Sequence, residues 1–198
     1  MERFEGWKQP VIEQNNFIPI TKATLPSAET LERKWRELFS TGMITNHIYV
    51  QRFETTLQEY LGVKHVIAVS SCTSGMMLVM KALELQGEVI VPSFTFSASG
   101  HAILWNGLTP KFVEIDPETL NVDPQKVREA ITPKTSAILG VHIFGCPAEV
   151  QKLEWIAKEH NLRLIFDAAH ALCAKVGATF IGNFGDAEIF SCSPTNLL

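Results

Sequence analysis

The chain has 198 residues, 46% hydrophobic and 19% charged, which is the balance of a globular protein and not of a disordered one. Its 17 basic and 21 acidic side chains give a net charge of −4 with no basic block, so neither nucleic acid nor an anionic membrane has a charge to bind. No apolar run approaches the ~20 residues that span a bilayer.

The segment before Ser27 contains Pro10, Pro19 and Pro26 and reads as an extended arm over residues 1–26, with Phe4, Trp7, Phe17 and Ile18 in need of burial. Two helices are predicted next. Ser27–Phe39 would turn Leu31, Trp35 and Leu38 inward, and Val50–Leu61 would bury Phe53, Leu57 and Tyr60 or Leu61. From Lys64 onward, apolar runs alternate with helical patterns. Strands are expected at His65–Val69, Glu88–Val91, Lys111–Glu114, Ser136–Gly140, Arg163–Phe166 and Ala187–Phe190. Between them lie helices over Ser74–Leu85, Ser97–Trp105, Pro124 to about Ile131 (capped by Asp123) and Ala148–Glu159. This alternation argues for a parallel sheet covered on both faces, which binds ligands at the carboxyl ends of its strands.

The four cysteines, Cys72, Cys146, Cys173 and Cys192, form no C-x-x-C pair, so reduced thiols are expected and not a zinc site or disulfides. Glu2, Arg3 and Glu5 place charges where a signal peptide would be entering its apolar core, so a cytoplasmic location is expected.

Several residues could carry chemistry. Ser70-Ser71-Cys72-Thr73-Ser74-Gly75 lies between a strand and a helix, where small residues and free N–H groups suit a phosphate; an ordinary capped turn has the same pattern. Asp167 closes the run Leu164-Ile165-Phe166 and is either a site carboxylate or a helix N-cap. His170 is either a partner for a ring oxygen or a satisfied core histidine. Phe94 and Phe96 follow a strand and either stack on a planar ring or pack in the core. His142 reads as structural, Asp116 and Asp123 as turn and cap residues, and Glu149 and Glu154 as a solvated helix face.

Taken in order, these stretches resemble the DegT/DnrJ/EryC1/StrS sugar aminotransferases, which are fold type I pyridoxal-phosphate enzymes. The resemblance runs from Ile18-Pro19 through Phe53-Glu54, the Ser71–Gly75 turn and Val89 to Phe96. It continues through Asp116 to Asp123 and Asp167-Ala168-Ala169-His170 to Gly185-Asp186 and Phe190-Ser191. It implies an α/β fold, namely the large domain of the aspartate-aminotransferase type, three layers (α/β/α) around a mostly parallel sheet.

By the same resemblance, Thr73 and Ser74 form the phosphate cradle with Ser191 adding a hydroxyl. Phe96 stacks on the pyridine ring, Asp167 pairs with its nitrogen, and His170 lies near its phenolic oxygen. The cofactor would be pyridoxal 5'-phosphate and the substrate a nucleotide-linked keto-deoxysugar with glutamate as amino donor. The full-length form would be a homodimer.

The resemblance puts the Schiff-base lysine where this chain has Asn196. An amide nitrogen is neither basic nor titratable and its lone pair is delocalised, so Asn196 can replace neither the covalent anchor nor the base. The chain is therefore expected to be inactive. The competing expectations are a non-catalytic protein that binds the cofactor or a nucleotide-sugar, and a dehydratase-like relative with unanchored cofactor. Family members also continue past the lysine with an antiparallel strand, lying between His65–Val69 and Ala187–Phe190, and a small C-terminal domain. Without them residues 27–198 would be an incomplete large domain with two unpaired interior strands. The expectation is a fragment of a longer reading frame or a chain marginally stable alone.

Overall fold

The computed structural model describes residues 25–193. Helix α1 (Ala28–Thr41) starts where the Ser27 hydroxyl accepts the Thr30 N–H and stops at Gly42, whose left-handed backbone suits glycine. Helix α2 (Ile48–Leu61) follows and ends in the same way at Gly62. Both helices are where the sequence places them, but their apolar faces are not buried. Among their residues only Leu61 is buried; Leu31, Trp35, Phe53 and Tyr60 are exposed. The inward reading assumed a covering layer, and none is present among the described residues.

The segment 65–69 is not a strand. Its Ala68 N–H bonds to the Glu54 carboxylate at 2.8 Å, and Ile67 is 78% exposed. An apolar run becomes a strand only where a ladder partner is available, and no described strand lies beside this one.

Helix α3 (Cys72–Ala82) leads into β1 (Glu88–Pro92), α4 (Ser97–Trp105) into β2 (Thr109–Val113), and α5 (Pro124–Ala130) into β3 (Thr135–Val141). Helix α6 (Val150–Glu159) leads into β4 (Arg163–Asp167). A two-stranded hairpin, β5 (Lys175–Val176) with β6 (Thr179–Phe180), precedes the last strand, β7 (Ala187–Ile189). The sheet order is β2-β1-β3-β4-β7, with every pairing parallel. The Asp123 side chain accepts the Gln125 N–H with Pro124 in the first helical turn, as expected.

Side chains alternate across a strand, and both faces of this sheet are apolar. Ile90, Ile138, Leu164 and Phe166 meet Val127 of α5 and Leu153 and Ile156 of α6. Val89, Val91, Leu139, Ile165 and Ile189 meet Met76 and Met80 of α3 and Ile103 of α4. The result is the expected three-layer α/β/α arrangement. The same alternation turns Asp167, two residues after Ile165, toward α3 and α4. Gly75 lets α3 reach the end of β7, since a Cβ there would lie 2.9 Å from Ile189.

Candidate functional site

The carboxyl ends of the strands gather the polar residues. Asp167, the last residue of β4, is 5% exposed in an otherwise apolar body. Its carboxylate accepts the Ser99 hydroxyl at 2.9 Å and the Ala169 N–H at 3.2 Å, with the Cys72 thiol at 3.8 Å. Among the described residues no ion pair reaches it. Burial raises its pKa, and the hydrogen bonds from Ser99 and Ala169 and the nearby His170 oppose that shift. No helix follows Asp167, so its bond to Ala169 is a turn and not a helix cap.

The start of α3 lies beside this carboxylate. Ser71 and Ser74 form a reciprocal capping box, each hydroxyl taking the other residue's N–H at 3.1 and 3.0 Å. The capped-turn reading is therefore correct, but it does not exhaust the helix start. With Gly75 N–H bonded to Ser71 and Ser74 N–H to the cap, the amides of Cys72 and Thr73 have no described acceptor. The Ser74 hydroxyl lies 3.0 Å from the hydroxyl of Ser70 and 3.0 Å from that of Ser71. The serine hydroxyls are taken up by the capping box and by each other, so the two open amides and the helix dipole are what remain to suit an anion.

Phe96 occupies the N-cap position of α4 and is 74% exposed, so core packing does not account for it. His170 stacks on Phe144, ring centres 6.1 Å apart and planes within 8°, and Phe94 meets Phe144 edge-on. Phe144 holds a left-handed backbone (φ 50°), unusual for a side chain of its size. Buried Asn121, which accepts the Ile143 N–H and donates to the Cys146 and Pro147 carbonyls, braces this loop.

Ser191 lies two residues beyond β7, where its hydroxyl accepts the Ser193 N–H at 3.2 Å. Thr73, Ser74, Phe96, Asp167, His170 and Ser191 thus all belong to the carboxyl-end side of the sheet; Asn196 lies outside the described residues. His142 is fully buried, accepts the Ala148 N–H and stacks on Phe166, in keeping with a structural role. Glu154 is more than a solvated face: its carboxylate accepts the Gly185 N–H at 3.1 Å.

Thr95 and Ser99 were not among the sequence candidates, and Cys72 was one only as part of the Ser70–Gly75 turn, although each bonds to Asp167 or to the residue that does. The available signal for Ser99 was a polar residue on the inner face of an apolar helix that starts at a strand's carboxyl end. Among the described residues no group of three His, Cys, Asp or Glu side chains is placed to hold a metal, and no helix is long and apolar enough to cross a membrane.

A parallel sheet with a buried carboxylate and an open helix start at its carboxyl end is the α/β class whose ligands lie at the carboxyl ends of the strands. The particular lineage follows from a family model that matches residues 27–198, and the chain belongs to the DegT/DnrJ/EryC1/StrS aminotransferase family. It is 42% identical over 158 residues to dTDP-4-amino-4,6-dideoxy-D-glucose transaminase of Escherichia coli, an overlap of 78% of this chain and 42% of that protein. A solved structure of DesI in the presence of its TDP-sugar product superposes with a TM-score of 0.84 at 42% identity, covering 87% of this chain and 44% of that one. The structure of NtdA from Bacillus subtilis with bound cofactor PMP superposes with a TM-score of 0.74 at 35% identity, covering 88% and 42%. The chain spans about half the length of the curated relatives it matches.

Proposed function

We propose that this chain is the cofactor-binding portion, residues 27–198 behind an arm over 1–26, of a pyridoxal-phosphate sugar aminotransferase that holds its cofactor without a covalent anchor. The observation that carries the proposal is Asp167: a buried carboxylate with hydrogen-bond donors on both oxygens and no lysine or arginine paired with it among the described residues. An ionised carboxylate has about four acceptor positions, so room remains for one more donor.

The residues fit pyridoxal 5'-phosphate. The amides of Cys72 and Thr73 would hold the phosphate, with Ser74 closing the capped turn beside them and Ser191 adding its own hydroxyl. Phe96 offers an exposed ring face for the pyridine. Asp167 would keep a proton on the ring nitrogen, and His170, fixed in plane by Phe144, would approach the ring oxygen. When bound, the cofactor supplies an electron sink for carbon–nitrogen chemistry.

The relatives' sugar-nucleotide names support a nucleotide-linked keto-deoxysugar as the family substrate; the name of one relative supports glutamate as donor and that of another polysaccharide biosynthesis, and antibiotic-sugar biosynthesis belongs to the same reading. The exposed apolar stripe of α1 and α2 supports a homodimer. The low net charge supports neither nucleic acid nor membrane as partner, and a cytoplasmic location belongs to the same reading. Asn196 in the lysine slot makes the chain itself inactive, since proton transfer alone contributes ~10²- to 10⁴-fold in typical enzymes.

Borohydride treatment with added pyridoxal phosphate tests the lysine slot. Mass spectrometry should find no covalently fixed cofactor on the chain, and Asn196→Lys should create a fixed adduct at that residue. An adduct on the unsubstituted chain at another lysine of the site would contradict the assignment.

A further inference from the structure

The hydrogen-bond donors to Asp167 are all neutral groups, and the longest of these supports leads away from it. The Ser99 hydroxyl, 0% exposed, donates to one carboxylate oxygen at 2.9 Å. The Thr95 hydroxyl lies 2.8 Å behind Ser99. A hydroxyl has one proton to give, and an ionised carboxylate can only accept. With Ser99 committed to Asp167, the 2.8 Å contact can be filled only by the Thr95 proton. The polarity of the chain is therefore fixed: Thr95 donates to Ser99, and Ser99 donates to Asp167.

We infer that Thr95 and Ser99 are positioning residues for Asp167: their two hydroxyls hold the buried carboxylate in its charged form and fasten to it the loop that carries Phe96. The inference rests on the cofactor reading above and extends it to residues that touch neither ring nor phosphate.

The groups that face the carboxylate are few. From α3 comes the Cys72 thiol, pushed up to about 12 first by burial and then by the Asp167 charge, so it stays neutral and adds no competing anion; its one proton lies between Asp167 at 3.8 Å and the Ile189 carbonyl at 3.7 Å. From α4 comes Ser99. From the following loop come the Ala169 N–H and His170. Neither lysine nor arginine pairs with it among the described residues. The hydrogen bonds to the charge thus come from neutral groups, with His170 nearby, and an acceptor position is left for a cationic donor brought by a ligand.

Thr95 immediately precedes Phe96, and Ser99 lies one helical turn after it. If Asp167 took up a proton on the oxygen facing Ser99, it would become a donor there. The chain of hydroxyls would reverse, and Thr95 would lose its role as the outermost donor. Loss of the Ser99 hydroxyl has a related effect: one oxygen would face burial without a donor, and the carboxyl would hold its proton to higher pH.

The test is the pH profile of pyridoxal phosphate affinity, measured by absorbance titration of the whole chain. In Ser99→Ala the acid limb should move upward by about one pH unit, as expected for losing a hydrogen bond to a charged group. Ser99→Thr keeps the hydroxyl and should restore the limb. Thr95→Val should move it in the same direction by less. A purely structural role would lower affinity without moving the limb.

Unmoved limbs in Ser99→Ala and Thr95→Val, with weakened binding in Asp167→Asn, would overturn the inference and leave the cofactor reading standing. Unchanged binding in Asp167→Asn at every pH would overturn both. Circular dichroism checks each fold; if Ser99→Ala does not fold, Thr95→Val decides by the same criterion.

Discussion

Phe166 and Trp35 are both large apolar side chains on regular elements, yet Phe166 is fully buried with α5 and α6 while Trp35 is 52% exposed on α1. The contrast extends to their surroundings. Every strand of the sheet from β1 to β7 finds a neighbour and, through short crossovers, helices for its faces. Helix α1 buries none of its residues, and its aromatic pair, Trp35 and Phe39, stack on each other at 5.7 Å and on no other described ring. Regular hydrogen bonding and good caps are enough to define a helix, but burial needs a second layer. The sheet body carries that layer in its own sequence; α1 and α2 do not carry it among the described residues.

The largest expected effect lies in the body. Phe166→Ala removes the largest fully buried side chain and should cost about 4 kcal/mol by urea denaturation, in line with buried Phe truncations. A cost below about 1 kcal/mol would mean that the body is no better packed than α1.

The next effect is electrostatic. Burial pushes the Glu188 carboxyl up to about 7, although the N–H groups of Gly182 and Phe184 both point at it and favour its charge. Its contribution to stability is therefore complete below the ordinary value of 4.5 and is lost as pH rises through 7. Burial lowers His142 to about 4, and its contribution runs the other way, complete above 6.5 and lost as pH falls through 4. The two slopes oppose each other between pH 4.5 and 6.5. Glu188→Gln should remove one of them, so that the variant gains on the unsubstituted chain by on the order of 3 kcal/mol between pH 4.5 and 8. Parallel stability curves for the two proteins would contradict this account of the body's buried charges.

A smaller effect comes from the contact between α3 and β7. Gly75→Ala places a methyl group 2.9 Å from Ile189 and 3.2 Å from Val69. The expected cost is about 2 kcal/mol, typical of overpacking, with weaker binding of pyridoxal phosphate as the start of α3 is displaced. The smallest effect belongs to α1. Trp35→Ala should change the urea midpoint by no more than the equivalent of about 0.5 kcal/mol in the monomeric chain. A loss as large as that of Phe166→Ala would show that α1 is covered after all.

Legibility from sequence follows the same division. Strands β1, β3 and β4 are covered on both faces, so they appear as continuous apolar runs and were placed within a residue or two. The run His65–Val69 has the same composition, but composition does not reveal whether a neighbour strand is at hand. The hairpin of β5 and β6 has two residues per strand, too few for a period, and only Gly177 at its turn marks it.

In the site, Asp167 was legible because a carboxylate that ends an apolar run is rare, and Phe96 because two aromatics follow a strand. Ser99 and Thr95 are small residues with no local signature, and the turn that holds Cys72 gives no sign of its contact with Asp167. Their importance arises from the meeting of three elements far apart in sequence: the starts of α3 and α4 and the end of β4.

Equilibrium dialysis of the whole chain against pyridoxal phosphate, with inorganic phosphate as competitor, tests the central claim most directly. The account predicts saturable binding of one cofactor per chain, weakened by phosphate and fully reversed on dialysis into buffer. No saturable binding, or cofactor that stays with the chain after exhaustive dialysis and denaturation, would contradict it.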